Sequence, residues 1–318
     1  MTDDDELSAD MRGFQQVLAA GYAAHPPLAS VSLDEARRIV EAVRAPLAQG
    51  GPRMWRTDDV DIGTPQAPLH LRIHRPSEAP TLPALVYLHG GGWVFFSIAT
   101  HDRLMREIAA RAGRVVIGVD YARAPEARFP VALDQTVAAW RWAHAQANAL
   151  GLDPARIALG GDSAGANLAL AAALVLRDEH TASPDALLLN YGVYSDDDSG
   201  ESFTRFDGPR YTLERDEMRG FWQHYLGDAA DRADPRAMPL HAALQGLPRC
   251  GLVVAECDVL RDGNLALAER LRAAEVALHL QRHAGAPHSF LEAISFSPTA
   301  REALDLSCAW LRAENPPA

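Results

Sequence analysis

From about position 69 onward, apolar residues alternate between two spacings. Leu69–Ile73, Ala84–Leu88, Val115–Val119, Ile157–Leu159, Ala186–Asn190 and Leu252–Ala255 are short β-rich runs, and Leu278–Arg282 follows them. Those from Ala84 to Ala255 are almost uniformly apolar, as expected of parallel strands covered on both faces. Between the runs, 101–112, 131–149, 164–178, 263–274 and 299–313 carry apolar positions at the 3.6-residue period of a helix with one buried side. The alternation predicts an α/β fold, a mostly parallel central sheet flanked by helices.

Two regions break the pattern. Residues 1 to about 55 hold helical periodicity (Asp10–Ala24, Leu33–Ala48) and no strand signal. Residues 195–240 begin acidic and turn aromatic and helical at Met218–Leu226. Apolar helices need a surface to pack on, so both segments are expected to form one helical cap over the sheet's carboxyl edge, where α/β folds bind ligands. The expected division is 1–55 and 195–240 for the cap, 56–194 and 241–318 for the core. No internal repeat suggests a solenoid or propeller.

The chemistry concentrates at strand ends. Gly161-Asp162-Ser163-Ala164-Gly165 lies between a strand and a helix, the setting in which G-x-S-x-G forms a tight turn that exposes a serine oxygen. The helix beginning there adds amide groups and a positive dipole end, both suited to a developing oxyanion. His89-Gly90-Gly91-Gly92 directly follows the apolar run Ala84–Leu88, and consecutive glycines let backbone N–H groups converge on one point. A phosphate loop would end in Gly-Lys-Ser/Thr, whereas Trp93 follows here.

A nucleophilic serine needs a base, and the base an orienting acid. After Ser163, acids occur in Glu256-Cys257-Asp258-Val259-Leu260-Arg261-Asp262 and histidines in His283-Ala284-Gly285-Ala286-Pro287-His288. Asp258 and His288 are the preferred pair, with Asp262, Glu256 and His283 as competitors. His279 reads as an ordinary strand residue. His89 and Glu126 are candidates for bracing the active-site loops. Trp93, Phe95, Phe96, Tyr194, Phe221 and Trp222 are candidate pocket walls, although aromatics so placed also serve as core. Ser195-Asp196-Asp197-Asp198 lacks the glycine and closing glutamate of a calcium loop. His70 and His74 lack further zinc ligands. No cofactor or metal is expected.

Charge and composition remove other classes. Asp+Glu 42 against Lys+Arg 30 gives a net charge of −12, unlike the basic surfaces that bind nucleic acid or anionic membranes. All 30 cations are arginine, so lysine-based Schiff-base or Ser–Lys chemistry is impossible and a histidine base remains for Ser163. Three cysteines, Cys250, Cys257 and Cys308, form no disulfide framework, and the acidic start Met1–Glu6 is unlike a signal peptide. A soluble cytoplasmic protein is expected.

Together the motifs resemble those of the bacterial hormone-sensitive-lipase-like (family IV) carboxylesterases of the α/β-hydrolase fold. The likeness runs through His89–Val94 and Thr100-His101-Asp102. It continues in Asp120-Tyr121 with Ala124-Pro125-Glu126, Gly161–Gly165, Asp258-x-Leu260-x-Asp262 and His288-Ser289-Phe290. It implies a Ser163–Asp258–His288 triad, oxyanion donors at Gly91, Gly92 and Ala164, and a helical cap from the N-terminus plus an insertion after the sixth strand. Phe96 stands where a small residue is usual, which suggests a narrowed pocket mouth. Ala122-Arg123 replaces Arg-Leu and puts that arginine's salt bridge in doubt, while Ala166 and Ser289 replace glycines.

The expected activity is serine carboxylesterase, acting on small-to-medium acyl esters through an acyl-enzyme. An amidase, carbamate hydrolase or peptidase with the same triad is the alternative, and a non-catalytic ligand-binding receptor a more distant one. The resemblance also raises a homodimer.

Overall fold

The computed structural model describes residues 6–180, 182–227 and 232–313; the acidic start at 1–5 lies outside them. Ten helices and eight strands follow one another among these residues. They are α1 (Ala9–Ala23), α2 (Leu33–Ala48), β1 (Arg56–Ile62), β2 (Leu69–Arg75), β3 (Leu82–Leu88), α3 (Asp102–Ala112) and β4 (Val115–Asp120). Next come α4 (Val131–Ala145), α5 (Ala147–Leu150), β5 (Leu152–Asp162), α6 (Ala164–Asp178) and β6 (Ala186–Asn190). The last are α7 (Ser202–Arg205), α8 (Arg215–Leu226), β7 (Arg249–Cys257), α9 (Arg261–Ala273), β8 (Leu278–Pro287) and α10 (Pro298–Arg312).

The eight strands form one sheet in the order β1-β2-β4-β3-β5-β6-β7-β8. β2 runs antiparallel to both β1 and β4, and every other pairing is parallel. The central runs are buried on both faces: all of β6 is buried, as is β3 from Ala84 to Leu88. That placement explains why their sequences are apolar without alternation. From β3 the chain goes to β4 on one side and then crosses to β5 on the other. The carboxyl ends of β3 and β5 therefore flank the switch point where such sheets open a crevice.

Two strand expectations need correction. β1 is a strand that hydrophobic patterning does not reveal, because Arg56–Ile62 is mostly charged. It is an edge strand held by cross-strand charge pairs: Asp59 faces Arg72, whose Nε lies 2.8 Å from Asp59 Oδ1, and Asp61 faces His70 at 2.8 Å. At the other edge, β8 continues past Arg282 to Pro287, because its pairing with β7 resumes at Cys257↔Pro287 after a bulge. His283 consequently lies within a strand, and His288 is the first residue beyond it.

α1 and α2 pack together and onto the sheet's carboxyl side through Met11, Phe14, Leu18, Ile39 and Val43, all buried. Asp10 fastens α1 by accepting from Ser297 Oγ at 2.6 Å. Although burial opposes ionisation, the hydrogen bonds from Ser297, Ser8 and Thr299 bring its carboxyl down to about 2. Residues 202–226 meet this N-terminal segment, where Gln15 of α1 donates to Thr212 and Arg205 pairs with Glu6 at 2.8 Å. Among the described residues, no helix is long and apolar enough to cross a membrane.

Candidate active site

Ser163 ends β5 and begins α6 at φ 54°, ψ −119°, a conformation that a non-glycine residue holds only when its surroundings impose it. Here the turn is clamped by its neighbours. Ser163 N donates to Asn190 O at 2.9 Å, and a side-chain carbon at Gly165 would meet Leu88 O at 2.0 Å. The glycine is thus required for α6 to pass this close to the end of β3.

β7 and β8 bring the acid and base together, because their carboxyl ends are neighbours in the sheet. His288 Nε2 lies 2.9 Å from Ser163 Oγ, and His288 Nδ1 lies 2.7 Å from Asp258 Oδ2. Asp258 is itself oriented, accepting the Leu260 amide on Oδ1 at 3.0 Å. All three side chains are buried. Burial disfavours protonation of His288, but the adjacent Asp258 charge and hydrogen bond outweigh it and hold the imidazole above its ordinary value.

The competing acids and base are elsewhere. Asp262 accepts from Ser202 N at 2.9 Å and pairs with Arg261, while Glu256 pairs with Arg282. His283 sits beside Gln281 and the Phe290 ring, with ring centroids 5.4 Å apart. His279 stacks on Trp310.

The glycine loop after β3 passes against the serine turn, so closely that a Cβ at Gly90 would lie 3.3 Å from Ser163 Cβ. Gly91 adopts φ +100°, and its carbonyl accepts the amides of Val94 and Phe95 at 3.0 and 2.8 Å. A Cβ there would fall 2.3 Å from Phe95 O, so only glycine closes this turn. Among the described residues, no backbone acceptor outside helices and strands takes the amides of Gly91 or Gly92. Tyr121 braces the loop, its hydroxyl donating to His89 O at 2.8 Å while its ring stacks on His89 at 4.3 Å. His89 Nδ1 is 2.8 Å from Gly90 O. Burial, aided by nearby His101, lowers its pKa to about 3, so this histidine is neutral.

Sequence reasoning missed a buried trio under that loop. Asp162 accepts from Tyr87 Oη at 2.9 Å and faces His101 Nε2 at 3.2 Å. Burial opposes both charges, yet their mutual attraction raises the His101 pKa and lowers that of Asp162. The motif signalled Asp162, but nothing local in sequence names His101 as its partner. Arg37 was also missed. It reaches from α2 to Val94 O (3.0 Å), Ala124 O (2.8 Å) and both oxygens of Glu126 (2.9 and 2.7 Å). Arg123 instead donates to Phe96 O at 3.0 Å.

Above Ser163 and His288 opens a cavity of about 80 Å³. Phe95, Phe96 and Phe221 line it, together with Gly91 and Gly92 from the loop. Tyr22, Leu28, Val40 and Arg44 come from the N-terminal helices; Thr212, Leu213, Glu217 and Met218 come from the later insertion. Trp93, Trp222 and Tyr194, expected as pocket walls, are not among the residues that line it. Trp93 stacks on Tyr225 at 4.2 Å and meets Trp222 at 4.6 Å, locking α8 onto the glycine loop, while Tyr194 borders a separate hollow beside Asp262. Of the acidic run at 195–198, Asp196 and Asp198 are engaged by Arg232 and Arg219. His74 is engaged by Thr57 (3.0 Å) and Asp102 (3.3 Å).

Residues 85–292 match the family described as the alpha/beta hydrolase fold. An ethyl acetate hydrolase of Pseudomonas putida is 36% identical over 306 residues, covering 94% of this chain and 96% of that protein. An acetyl esterase of Salmonella typhi is 36% identical over 263 residues, 79% of this chain and 80% of that one. A hyperthermophilic esterase from the archaeon Pyrobaculum calidifontis superposes with a TM-score of 0.90 at 31% identity, covering 96% and 98% of the two chains. A thermostable carboxylesterase cloned from a metagenomic library superposes at 0.86 with 36% identity, covering 89% and 97%.

Proposed function

The chain belongs to the hormone-sensitive-lipase-like carboxylesterases of the α/β-hydrolase fold, and from that premise we propose a mechanism for its ester hydrolysis in which Ser163 is the nucleophile. The observation that carries this reading is the contact chain Ser163 Oγ–His288–Asp258, at 2.9 and 2.7 Å, beside a cavity at the sheet's switch point. Ser163 attacks the ester carbonyl as His288 Nε2 takes its proton. Asp258 holds the imidazole through Nδ1 and stabilises the cation that forms. The oxygen that gains charge is received by the amides of Gly91, Gly92 and Ala164, each such donor being worth on the order of 3 kcal/mol in the transition state. His288 then protonates the departing alcohol, and water repeats the sequence on the acyl-enzyme.

The substrates we propose are esters of short acyl chains. A cavity of about 80 Å³ supports this, as do relatives named for ethyl acetate and acetyl esters. We also read residues up to 55 and 195–240 as one cap, supported by the cavity walls that both segments supply. A panel of p-nitrophenyl esters from acetate to palmitate tests the size claim: kcat/KM should peak at acetate to butyrate and fall steeply beyond. A maximum at long chains would overturn it. A cytoplasmic location, supported by three free buried cysteines, and a homodimer belong to the same proposal. Cell fractionation and light scattering test these, and secretion or a monomer would refute them.

A further inference from the structure

Arg44 is a charged side chain where the cavity has no obvious need of one. It projects from α2, is 4% exposed and lines the same cavity as Ser163 and His288. Its guanidinium lies between two aromatic rings, 5.6 Å from the Tyr22 centroid and 5.2 Å from that of Phe96. Nε sits 2.8 Å from Glu292 Oε2, and Nη1 donates to the Tyr22 hydroxyl at 3.1 Å. The Nε contact is an ion pair and not a formed hydrogen bond: Arg44 Nε and Glu292 Oε1 are both buried without a hydrogen-bond partner, and the Tyr22 hydroxyl takes the hydrogen bond given by the guanidinium.

Burying this pair costs desolvation that a methionine and a leucine of similar volume would not incur. A purely structural tie between α2 and the turn after His288 would be expected to use the guanidinium fork fully. Here the fork gives one hydrogen bond, to Tyr22, and is held between two rings beside Glu292 with donor capacity left over, the arrangement of a preorganised donor. Its charge is already matched by Glu292, and Glu217 lines the same cavity. A substrate carboxylate would thus meet two acids for one guanidinium, whereas a neutral oxygen would meet only a donor.

We propose that Arg44 forms a hydrogen-bonding subsite of the ester pocket, selecting esters whose acyl or alcohol part carries a second, uncharged oxygen acceptor. The inference rests on the esterase reading and names the substrate class within it.

The test compares isosteric pairs in which one methylene becomes an ether oxygen: ethyl butyrate with ethyl methoxyacetate for the acyl side, butyl acetate with 2-methoxyethyl acetate for the alcohol side. Intrinsic reactivity cancels when the oxygen-to-methylene ratio of kcat/KM is compared between wild type and Arg44→Met. Arg44→Met/Glu292→Gln, which strands no buried carboxylate, repeats the comparison if the single variant folds poorly. Loss of one charge-assisted hydrogen bond should lower the ratio about tenfold or more on one side. A ratio unchanged on both sides, with the hydrocarbon esters still hydrolysed, overturns the subsite alone. An ester bearing a carboxylate at that position and losing more than the ether overturns the uncharged class. Absence of hydrolysis of all four esters by the wild-type chain overturns the esterase reading and the subsite with it.

Discussion

His288 sits under the influence of three carboxylates. Asp258 touches it, while Asp162 and, more weakly, Glu292 four residues further on act through space to favour the imidazolium. In the proposed mechanism the base must be neutral to accept the Ser163 proton, so the raised pKa fixes the sign of the pH dependence. Activity should be lost as pH falls through a value above the ordinary imidazole pKa of 6.5. Glu292→Gln removes a negative charge that stabilises the imidazolium and leaves Arg44 unmatched. Both effects move the acid limb of kcat/KM to lower pH while the plateau changes little, and a limb that stays in place would refute the through-space role. Asp258→Asn acts differently, because the amide neither holds the productive tautomer nor stabilises the cation. A loss on the order of 10⁴ in kcat is expected, read from ester turnover at the plateau. A loss of only a few-fold would return Asp262 or Glu256 to consideration.

Elements are tied to the site by residues of unequal worth, and Arg37 illustrates the difference. Its bonds to Val94 O and Ala124 O fasten α2 to the glycine loop, where the arginine side chain is 13% exposed. Its partner Glu126 is 59% exposed, so that ion pair is screened by water. Arg37→Met should therefore destabilise the fold by about 1–3 kcal/mol, because two carbonyls lose a charged donor. Glu126→Gln should cost less than about 1 kcal/mol. Chemical denaturation of the two variants measures both; equal losses would contradict this ordering. The strands that carry catalytic loops were legible because burial on both faces makes their sequences apolar. β1 was not, since an edge strand stabilised by Asp59–Arg72 and Asp61–His70 pairs carries no hydrophobic signal. The true end of β8 was hidden because it depends on pairing with β7 across a bulge.

At the level of the whole molecule, the machinery and its pocket have different origins in the chain. Ser163, Asp258, His288 and the glycine loop lie at the ends of neighbouring strands, and local motifs point to each of them. The cavity above them is assembled from three separated stretches: Tyr22 to Arg44, Gly91 to Phe96, and Thr212 to Phe221. Which side chains of an amphipathic helix reach such a cavity depends on how that helix docks. Phe221 was therefore foreseeable only as one aromatic among several, and Arg44 not at all. The same reason sends Trp93 and Trp222 into the packing that holds α8 rather than into the pocket wall. Fluorophosphonate labelling followed by mass-spectrometric mapping of the adduct tests the arrangement most directly. One adduct is expected, on Ser163, lost together with ester hydrolysis in Ser163→Ala. An adduct on another residue, or turnover undiminished in that variant, would contradict it.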